Sequence, residues 1–475
     1  MRSRPPRLAQ VTWQRTASQW FRLPADRLWE VLEQLELWPQ WNPAVGSAAV
    51  IGALREGATG HYSPSHALLG PLHRRTAPAF RVDAVDPGHR IVLRQPQPRG
   101  AQTIEWTLEQ RGDGTLFTQR VTLEGPLAQQ FGLTAGEPLV RGFASQCARL
   151  YRLAAPAAGT DDGAAQGPLT AISGGSGFLG TLLASNLVCD GQRVVVLSRA
   201  LRPSPFEQIS WDGRTPGAWS DRLGAEARLN VVNAAGVSLD MPGTPENLAK
   251  LEATRVEPTR ALVEASRSWE RPVEHWLQQS AVGIYGNSPE AFDETSRVPD
   301  APGLAAVVRA WEASLEGAVA EHRVVLRTGV VLAREAAILE RLTAIARLGG
   351  GGPLGSGEQW FSWIHANDWV RAARAALGLT PAPGEEPVVL PGGVVNATSP
   401  YPIQNRELMA HLREFVGMPI GIPAPAPLLR VAATVLRTNP DLALDSVRAL
   451  PAVLRAAGFG FDYPQLMGAF REMAA

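Results

Sequence analysis

Residues 169–198 restrict the possible folds of this chain more than any other stretch. A short apolar segment, "LTAIS", leads into the turn "GGSG", the apolar helix pattern "FLGTLLASNLVC" and a second apolar run, "RVVVLS". Continuous apolar strands joined through a helix are typical of a β-α-β unit with a buried parallel sheet. Further apolar strands at "RLNVVNAAG", "EHWLQQSAVGIYG" and "HRVVLRTGVVL", separated by helical patterns, predict an α/β Rossmann fold, a doubly wound parallel sheet.

The turn itself has a glycine spacing suited to a dinucleotide. Gly174, Gly177 and Gly180 fit a G-x-x-G-x-x-G pattern that ends a strand and opens a helix. Glycines there permit a tight turn, close approach of backbone N–H groups to a pyrophosphate, and close packing of the helix on the strand. We therefore expect a dinucleotide site at this turn rather than a purely structural one.

The end of the second strand indicates which dinucleotide. An NAD-selective site places Asp or Glu there to bind the ribose 2'-hydroxyl, whereas this chain has Ser198, Arg199 and Arg202. An arginine pairs with a 2'-phosphate. The sequence therefore favours NADP(H) over NAD(H), with Arg199 as the cofactor-binding group; the alternative is that Arg199 is an ordinary exposed arginine in an arginine-rich chain.

Composition excludes several classes of function. Basic and acidic residues balance at 45 each in 475 residues, so no global field attracts nucleic acid or an anionic membrane. The chain has no apolar run of about eighteen residues that would span a membrane. Two remote cysteines, Cys147 and Cys189, suit a reducing compartment, and the eight scattered histidines have no metal-ligand spacing. We expect a cytoplasmic protein with a small-molecule substrate, no metal, no nucleic-acid partner and no membrane partner; its oligomeric state stays open.

A small, polar stretch, "APAAGTDDGAAQGP", divides the chain. Before it, "PADRLWEVLEQLELWPQWNP" begins as a helix and is expected to break at Pro39 and Pro43. Alternating segments around "DPGH" and "RGDG" predict an antiparallel meander, and "PLVRGFASQCARLYRLAA" predicts a long closing helix. The predicted domains are 9–154, a linker at 155–168, a nucleotide-binding domain at 169–400 and a C-terminal helical domain at 401–475.

The order helix, curved sheet, helix resembles the SRPBCC or START-like superfamily, which includes polyketide cyclase-like proteins. "ELWPQWNP" stands where many members carry a Trp-rich segment. The resemblance implies an α+β helix-grip fold enclosing an apolar cavity, and with it an apolar ligand. Candidates to line the cavity mouth are Trp38, Trp41, Tyr62, His66 and His73; the alternative is that each of them belongs to the core or the surface.

The second segment resembles the extended short-chain dehydrogenase/reductase superfamily, specifically the epimerase family protein group, which has its own small C-terminal helical domain. The matching motifs include "ISGGSGFLG", "VVNAAG", "SAVGIYG", "RTGVVL", "GGPLGSGEQWFSWIH" and "LRAAGFGFDYPQL". The resemblance implies an NADP(H)-dependent oxidoreductase or epimerase-like activity.

The resemblance also assigns roles to residues at matching positions. It implies that the pyrophosphate lies among Gly174, Ser176, Gly177, Phe178 and Leu179, and that the adenosine side rests on Asn233, Ala234, Ala235 and Gly236. It puts Ser280 and Ala281 near the nicotinamide ribose and Arg327 to Gly329 at the closing edge of the cleft. It puts Gln359, Trp360, Ser362, His365 and Asp368 on the substrate side; the alternative for "WIHANDWV" is a helix cap made by Asn367 or Asp368.

One part of the superfamily pattern is missing. Hydride chemistry there normally relies on a Tyr and a Lys four residues later, which lowers the pKa of the Tyr. The single lysine is Lys250, and Val307 and Trp311 occupy the expected dyad positions. Candidate replacements are Ser280, Tyr285 and His365, followed by Asp293 and Glu294. The sequence therefore leaves two functions open: an enzyme with another proton-transfer group, or a non-catalytic protein that senses NADP(H).

Overall fold

The computed structural model describes residues 12–65, 78–155 and 167–474. Contacts divide the chain into two compact units, and the main boundary falls between Gln166 and Gly167. Within the described ranges, no helix has both the length and the apolar character needed to cross a membrane.

The first unit contains one antiparallel sheet of seven strands in the order β1-β7-β6-β5-β4-β3-β2, so the first and last strands pair. The predicted meander is its central part. Its strands are β1 Thr12–Phe21, β2 Val45–Val50, β3 Thr59–Pro64, β4 Phe80–Asp86, β5 Arg90–Gln97, β6 Gly100–Arg111 and β7 Gly114–Glu124. Its helices are α1 Ala25–Leu32, α2 Trp38–Trp41, α3 Ala128–Phe131, α4 Glu137–Val140 and α5 Phe143–Ala154.

Both helix boundaries predicted in this unit need correction. The first helix ends at Leu32, before either proline, and Pro39 lies in the first turn of α2. Proline is tolerated there because the N–H it lacks has no partner inside the helix. The closing helix is shorter than predicted, since Gly142 adopts φ 73° and separates α4 from α5. A left-handed residue cannot continue a right-handed helix.

The predicted cavity-mouth residues lie in the core instead. Trp38 and Trp41 are each 1% exposed and Tyr62 is 7% exposed. The ring of Trp38 lies 5.2 Å from that of Tyr62 and 5.0 Å from that of Trp106. Large aromatic surfaces gain most when they exclude water from each other, and these rings fill the space between sheet and helices. His66 and His73 lie outside the described residues.

The second unit is built on a parallel sheet of seven strands in the order β10-β9-β8-β11-β12-β14-β18. The chain starts in the middle, at β8, moves outward through β9 and β10, and then crosses to β11 on the other side. This is the strand order of a Rossmann fold, and the predicted doubly wound sheet is confirmed. The strands are β8 Leu169–Ser173, β9 Arg193–Ser198, β10 Glu207–Ser210, β11 Leu229–Asn233, β12 Val273–Ala281, β14 Ala320–Thr328 and β18 Gly393–Ala397.

The helices of this unit follow the predicted alternation with strands. The longest one begins at Pro245, where the Thr244 hydroxyl accepts the Asn247 N–H at 3.3 Å. The helices of this unit are α6 Phe178–Cys189, α7 Ala218–Gly224, α8 Pro245–Ser268, α9 Leu304–Ala313, α10 Ala337–Ile345, α11 Ala366–Ala376, α12 Asn405–Val416, α13 Ala426–Leu436, α14 Asp441–Leu444, α15 Ala452–Ala456 and α16 Leu466–Ala474.

Three small two-stranded pairings complete the unit. "RTGVVL" divides at Gly329, so that its second half leaves the main sheet and pairs with the segment before α11. The short strands are β13 Ala291–Phe292, β15 Val330–Leu332, β16 Trp360–Phe361, β17 Trp363–His365, β19 Ile403–Gln404 and β20 Arg448–Ala449.

Candidate cofactor and active site

The glycine turn lies at the carboxyl end of β8, where the strand order reverses between β8 and β11. In open α/β sheets, ligands bind in the crevice at this point. Gly174 has φ 73°, and a Cβ there would approach the Ala234 carbonyl oxygen to 2.3 Å. A Cβ at Gly180 would meet the Gly174 carbonyl oxygen at the same distance. Both positions therefore require glycine, because two backbone segments pass each other closely.

The remaining residues of the turn divide into packed and open positions. A Cβ at Gly175 would strike the Val196 side chain at 2.6 Å, a packing constraint that the spacing argument missed. At Gly177 the closest contact would be 3.2 Å, to Gly174. Ser176, Gly177 and Phe178 are exposed at the start of α6. The open side of the turn thus coincides with a helix N-terminus, which favours a phosphate group.

Asn233 ends β11 and organises the neighbouring strands. Its carboxamide oxygen accepts the Ser173 hydroxyl at 2.6 Å, and its amide group donates to Thr259 at 2.8 Å and Gln278 at 3.1 Å. The residue is fully buried. Its side chain is therefore occupied within the protein, and Ala234 and Gly236 are the parts of "NAAG" that retain surface, while Ala235 is buried.

Arg199 follows directly after β9 and is exposed, as is Arg202. Within the described residues, the Arg199 side chain has no carboxylate partner. Its Cδ lies beside Gly213. The Ser198 hydroxyl, by contrast, donates to the Ala200 carbonyl oxygen at 2.8 Å and is used locally. An exposed guanidinium thus lies at the end of the second strand, the position at which Rossmann folds distinguish NAD from NADP.

A polar network joins the ends of β12 and β14 to α9. The Ser280 hydroxyl donates to Glu312 Oε1 at 2.5 Å. Arg327 donates from Nε to the same oxygen at 2.8 Å and from Nη2 to Oε2 at 2.7 Å. Burial opposes the charge of Arg327, but the hydrogen bond and charge of Glu312 outweigh it and raise the pKa of Arg327. Of the three side chains Glu312 is the most accessible, with 15% of its surface exposed.

Tyr285 is attached to this network through Arg327 Nη1, which donates to its hydroxyl oxygen at 3.1 Å. The hydroxyl also lies 3.0 Å from the Asp293 carbonyl oxygen and 3.0 Å from Asn396 Oδ1, either of which accepts its proton. Burial raises the pKa of Tyr285, and the hydrogen bond from Arg327 only partly offsets that rise. The structure thus gives Tyr285 the geometry of a buried support for Arg327 rather than of a base.

The two positions of the missing dyad face inward. Val307 is 4% and Trp311 5% exposed. The guanidinium carbon of Arg255, on α8, lies 5.3 Å from the Trp311 ring centre. Sequence reasoning assigned no role to either Glu312 or Arg255. The signal for Glu312 was its place directly after the expected lysine position; Arg255 had no signal in the sequence, because its contacts depend on the packing of two helices.

His365 is separate from this network. Its Nδ1 accepts the Asn367 N–H at 3.3 Å, its Nε2 lies 3.2 Å from Glu472, and its ring lies 4.0 Å from Tyr463. The cap of α11 is therefore His365 itself and not Asn367 or Asp368. Asp368 is instead buried and accepts the backbone N–H groups of Asp462 and Tyr463.

The other residues expected on the substrate side hold the C-terminal segment in place. Gln359 donates to the Ala443 carbonyl oxygen at 2.8 Å, and the Ser362 hydroxyl donates to the Val447 carbonyl oxygen at 2.7 Å. The Trp360 ring lies 4.2 Å beneath the Arg448 guanidinium carbon. Gly329 permits close passage of the Ser362 carbonyl, since a Cβ there would approach its oxygen to 2.8 Å. In the described ranges, no three His, Cys, Asp or Glu side chains gather as metal ligands.

Comparison with family models assigns three regions of the chain to families. Residues 170–389 match the NAD dependent epimerase/dehydratase family, and residues 12–157 match the family described as polyketide cyclase/dehydrase and lipid transport. Residues 424–473 match a domain of unknown function, DUF1731. The predicted SRPBCC-like region and epimerase-like region are both confirmed.

Individual proteins give the same assignment. Epimerase family protein SDR39U1 of Bos taurus is 32% identical over 310 residues, which are 64% of this chain and 99% of that protein. The crystal structure of the human SDR39U1 protein (isoform 2) with NADPH has 27% identity, covers 64% of this chain and 99% of that one, and gives a TM-score of 0.54.

A third comparison covers both units. The crystal structure described as a nucleoside-diphosphate sugar epimerase from Corynebacterium glutamicum covers 97% of this chain and 90% of that one, with 22% identity and a TM-score of 0.57. At that identity the likeness concerns the fold alone. On the identity to the Bos taurus protein over nearly its whole length, this chain belongs to the epimerase family proteins, within the extended short-chain dehydrogenase/reductase superfamily.

Proposed function

We propose that the second unit binds NADP(H) and acts as an oxidoreductase or epimerase-like enzyme in which Glu312 replaces the missing Tyr–Lys pair. The observation that carries this proposal is the Ser280–Glu312–Arg327 network. It places an accessible carboxylate, held from two sides, directly after the position where the superfamily lysine would lie.

The glycine turn and Arg199 support the cofactor part of the proposal. The open N-terminus of α6 suits a pyrophosphate, and the cradle at Gly177 leaves space that a side chain would fill. Arg199 and Arg202 are exposed at the end of β9 and would pair with a 2'-phosphate. The human relative, whose structure is described with NADPH, supports the same choice.

The network supports a defined proton-transfer role. NADP(H), when bound, supplies the hydride chemistry. Glu312 would accept the proton of a substrate hydroxyl, or return it to a carbonyl oxygen, as general base and acid. Ser280 and Arg327 would act as positioning residues, because their hydrogen bonds fix both carboxylate oxygens. Tyr285 would hold Arg327 from behind.

A non-catalytic sensor of NADP(H) is the second candidate. It is favoured by the completeness of the network, since Arg327 satisfies both Glu312 oxygens and Tyr285 has partners for its hydroxyl group. In that case Glu312 and Arg327 would only brace α9 against β14. The two candidates differ in turnover and agree in NADPH binding.

For the first unit we propose a site for a small apolar molecule and keep the boundaries 9–154. Its match to a family that includes lipid transport supports this. We further propose a cytoplasmic location, because Cys147 and Cys189 are both free thiols.

Turnover with a matched carboxylate control tests the proposal. NADPH oxidation would be followed against a panel of carbonyl compounds, with wild type, Glu312→Gln and Glu274→Gln. Glu274 is the matched control, because it also pairs with an arginine through two hydrogen bonds but lies at the far end of β12. We expect Glu312→Gln to lower turnover by about 10²–10⁴-fold at unchanged NADPH affinity, and Glu274→Gln to leave it near wild type.

One result would contradict the proposed enzyme, and another would contradict only the role of Glu312. If NADPH binds tightly and no compound in the panel is reduced, the sensor becomes the better account. If turnover exists and survives Glu312→Gln, another group transfers the proton.

A further inference from the structure

Arg255 and Trp311 form a buried pair between two helices of the second unit. They come from adjacent helices, α8 and α9, and the guanidinium carbon lies 5.3 Å from the ring centre. Arg255 is 8% exposed and Trp311 5% exposed. Trp311 directly precedes Glu312 on α9, and Arg255 lies on the adjacent α8.

Arg255 is a buried cation without an anionic partner. Its Nη1 donates to the Leu251 carbonyl oxygen at 3.0 Å and its Nη2 to the Val237 carbonyl oxygen at 2.9 Å. Within the described part of the chain, no carboxylate lies in ion-pair range of it. Burial lowers the pKa of Arg255 to about 10, so the group remains charged at neutral pH. A buried charge without a counter-charge is unfavourable unless a ligand compensates it.

Trp311 adds a second donor without an acceptor. Its indole Nε1 is buried and has no hydrogen-bond partner among the described residues. Buried N–H groups are nearly always paired in folded proteins, and an unpaired one calls for an explanation. Among the described residues the indole N–H of Trp311 lacks an acceptor and the guanidinium of Arg255 lacks a counter-charge, which indicates that a negatively charged acceptor comes from outside the protein.

The pair also lies against the loop that ends β11. A Cβ added to Gly236 would approach the guanidinium carbon of Arg255 to 3.0 Å. Gly236 belongs to "NAAG", at the sheet edge where the dinucleotide is expected. Arg255 is thus close to the cofactor crevice on one side and to the helix that carries Glu312 on the other.

We propose that Arg255 and Trp311 bind an oxyanion of the substrate, a carboxylate or a phosphate group, and hold it beside Glu312. This inference rests on the proposed function, because it specifies the substrate class of the same site. A guanidinium has five N–H donors in a planar fork, and two of them are used by carbonyl groups here. The remaining donors match the two oxygens of a carboxylate or phosphate.

Anion titration on variants of one helix tests the proposal. Sulfate and acetate would be titrated at constant ionic strength, by calorimetry, into free and NADP⁺-saturated protein. Arg255→Gln removes the charge and Arg255→Lys keeps it. Arg267→Gln is the control, because Arg267 lies on the same helix and also donates only to carbonyl oxygens, those of Glu316 and Gly317.

We expect saturable binding of at least one anion to the NADP⁺-saturated wild type. Arg255→Gln should weaken it about ten- to hundredfold, Arg255→Lys should weaken it less, and Arg267→Gln should leave it unchanged. Preference for sulfate or for acetate then separates a phosphate-bearing from a carboxylate-bearing substrate. Unchanged NADP⁺ affinity in Arg255→Gln would show that the variant is folded.

Three results would overturn the inference: no saturable binding of either anion, binding that survives Arg255→Gln, or anion binding that is lost when NADP⁺ is present. The last would mean that Arg255 serves a phosphate of the cofactor itself. If NADP⁺ fails to bind while the free protein binds an anion through Arg255, the proposed function fails and the anion site stands.

Discussion

Two arginines contact helix α9 (Leu304–Ala313) in different electrostatic surroundings. Arg327 meets Glu312 through two short hydrogen bonds, and its pKa is raised. Arg255 meets the neighbouring Trp311 and two carbonyl oxygens, and burial lowers its pKa to about 10. Both side chains are more than nine-tenths buried. The difference separates an arginine whose counter-charge belongs to the protein from one that has no counter-charge among the described residues.

This comparison indicates which arginine the fold needs and which one the proposed chemistry needs. Breaking a buried ion pair leaves one charge uncompensated, whereas removing an unpaired buried charge removes an existing cost. Arg327 should therefore matter first for stability, and Arg255 first for binding.

The largest expected effect is on the free energy of unfolding. Arg327→Met leaves the Glu312 carboxylate without its counter-charge and should lower the free energy of unfolding by about 3 kcal/mol. This is the lower end of the range for a broken buried pair, because Glu312 is partly exposed. Arg255→Met should lower the free energy of unfolding by about 1 kcal/mol or less. Urea unfolding of the two variants measures both.

A double variant provides the control for that experiment. Arg327→Met combined with Glu312→Gln should recover part of the lost stability, because no charge is then left unpaired. Equal losses in Arg327→Met and Arg255→Met would remove the distinction between the two arginines.

Removing a hydroxyl group beside each arginine should have a smaller effect on the free energy of unfolding. Ser280 donates to the charged Glu312 at 2.5 Å, whereas Thr254, near Arg255, donates to the neutral Leu251 carbonyl at 3.2 Å. Ser280→Ala should therefore cost about 1.5–3 kcal/mol and Thr254→Ala about 0.5–1 kcal/mol. Thermal unfolding of both variants makes the comparison, and a larger loss in Thr254→Ala would contradict it.

How much the sequence predicted depends on the range of the contacts involved. The strands of the parallel sheet and the close packing of the glycine turn were predictable because each is defined within about ten neighbouring residues. Gly180 was predictable as a glycine because its close contact, Gly174, belongs to the same turn. Even so, the packing of Gly175 on Val196 was missed, because that contact requires the adjacent strand.

The site around α9 was predictable only in part for the same physical reason. Ser280 and Arg327 were expected near the cofactor from their motifs, but Glu312 brings them together from 32 and 15 residues away along the chain. Local rules also failed at Pro39 and Gly142, where a proline begins a helical turn and a left-handed glycine interrupts the closing helix. The role of His365 as a cap depended on its backbone conformation, which its residue type does not reveal.

The smallest expected effect is on pH dependence. Arg255 is a base with a lowered pKa, so it is charged below pH about 10 and loses its proton as the pH rises through that value. Sulfate affinity should stay constant from neutral pH upward and fall a few-fold near pH 10. The pKa of Arg327 is raised, so its pair with Glu312 should persist over that range. A sulfate affinity that falls already near pH 7 would implicate a different group.

Cofactor binding tests the account most directly, because both candidate functions depend on it. Fluorescence titration would compare NADPH and NADH in wild type, Arg199→Asp and the control Arg214→Asp, whose exposed side chain pairs with Glu257. The account predicts saturable NADPH binding that Arg199→Asp weakens at least about tenfold, with NADH affected less and Arg214→Asp near wild type. No saturable binding of either dinucleotide would contradict the account, and equal losses for both would contradict the assignment of NADP(H).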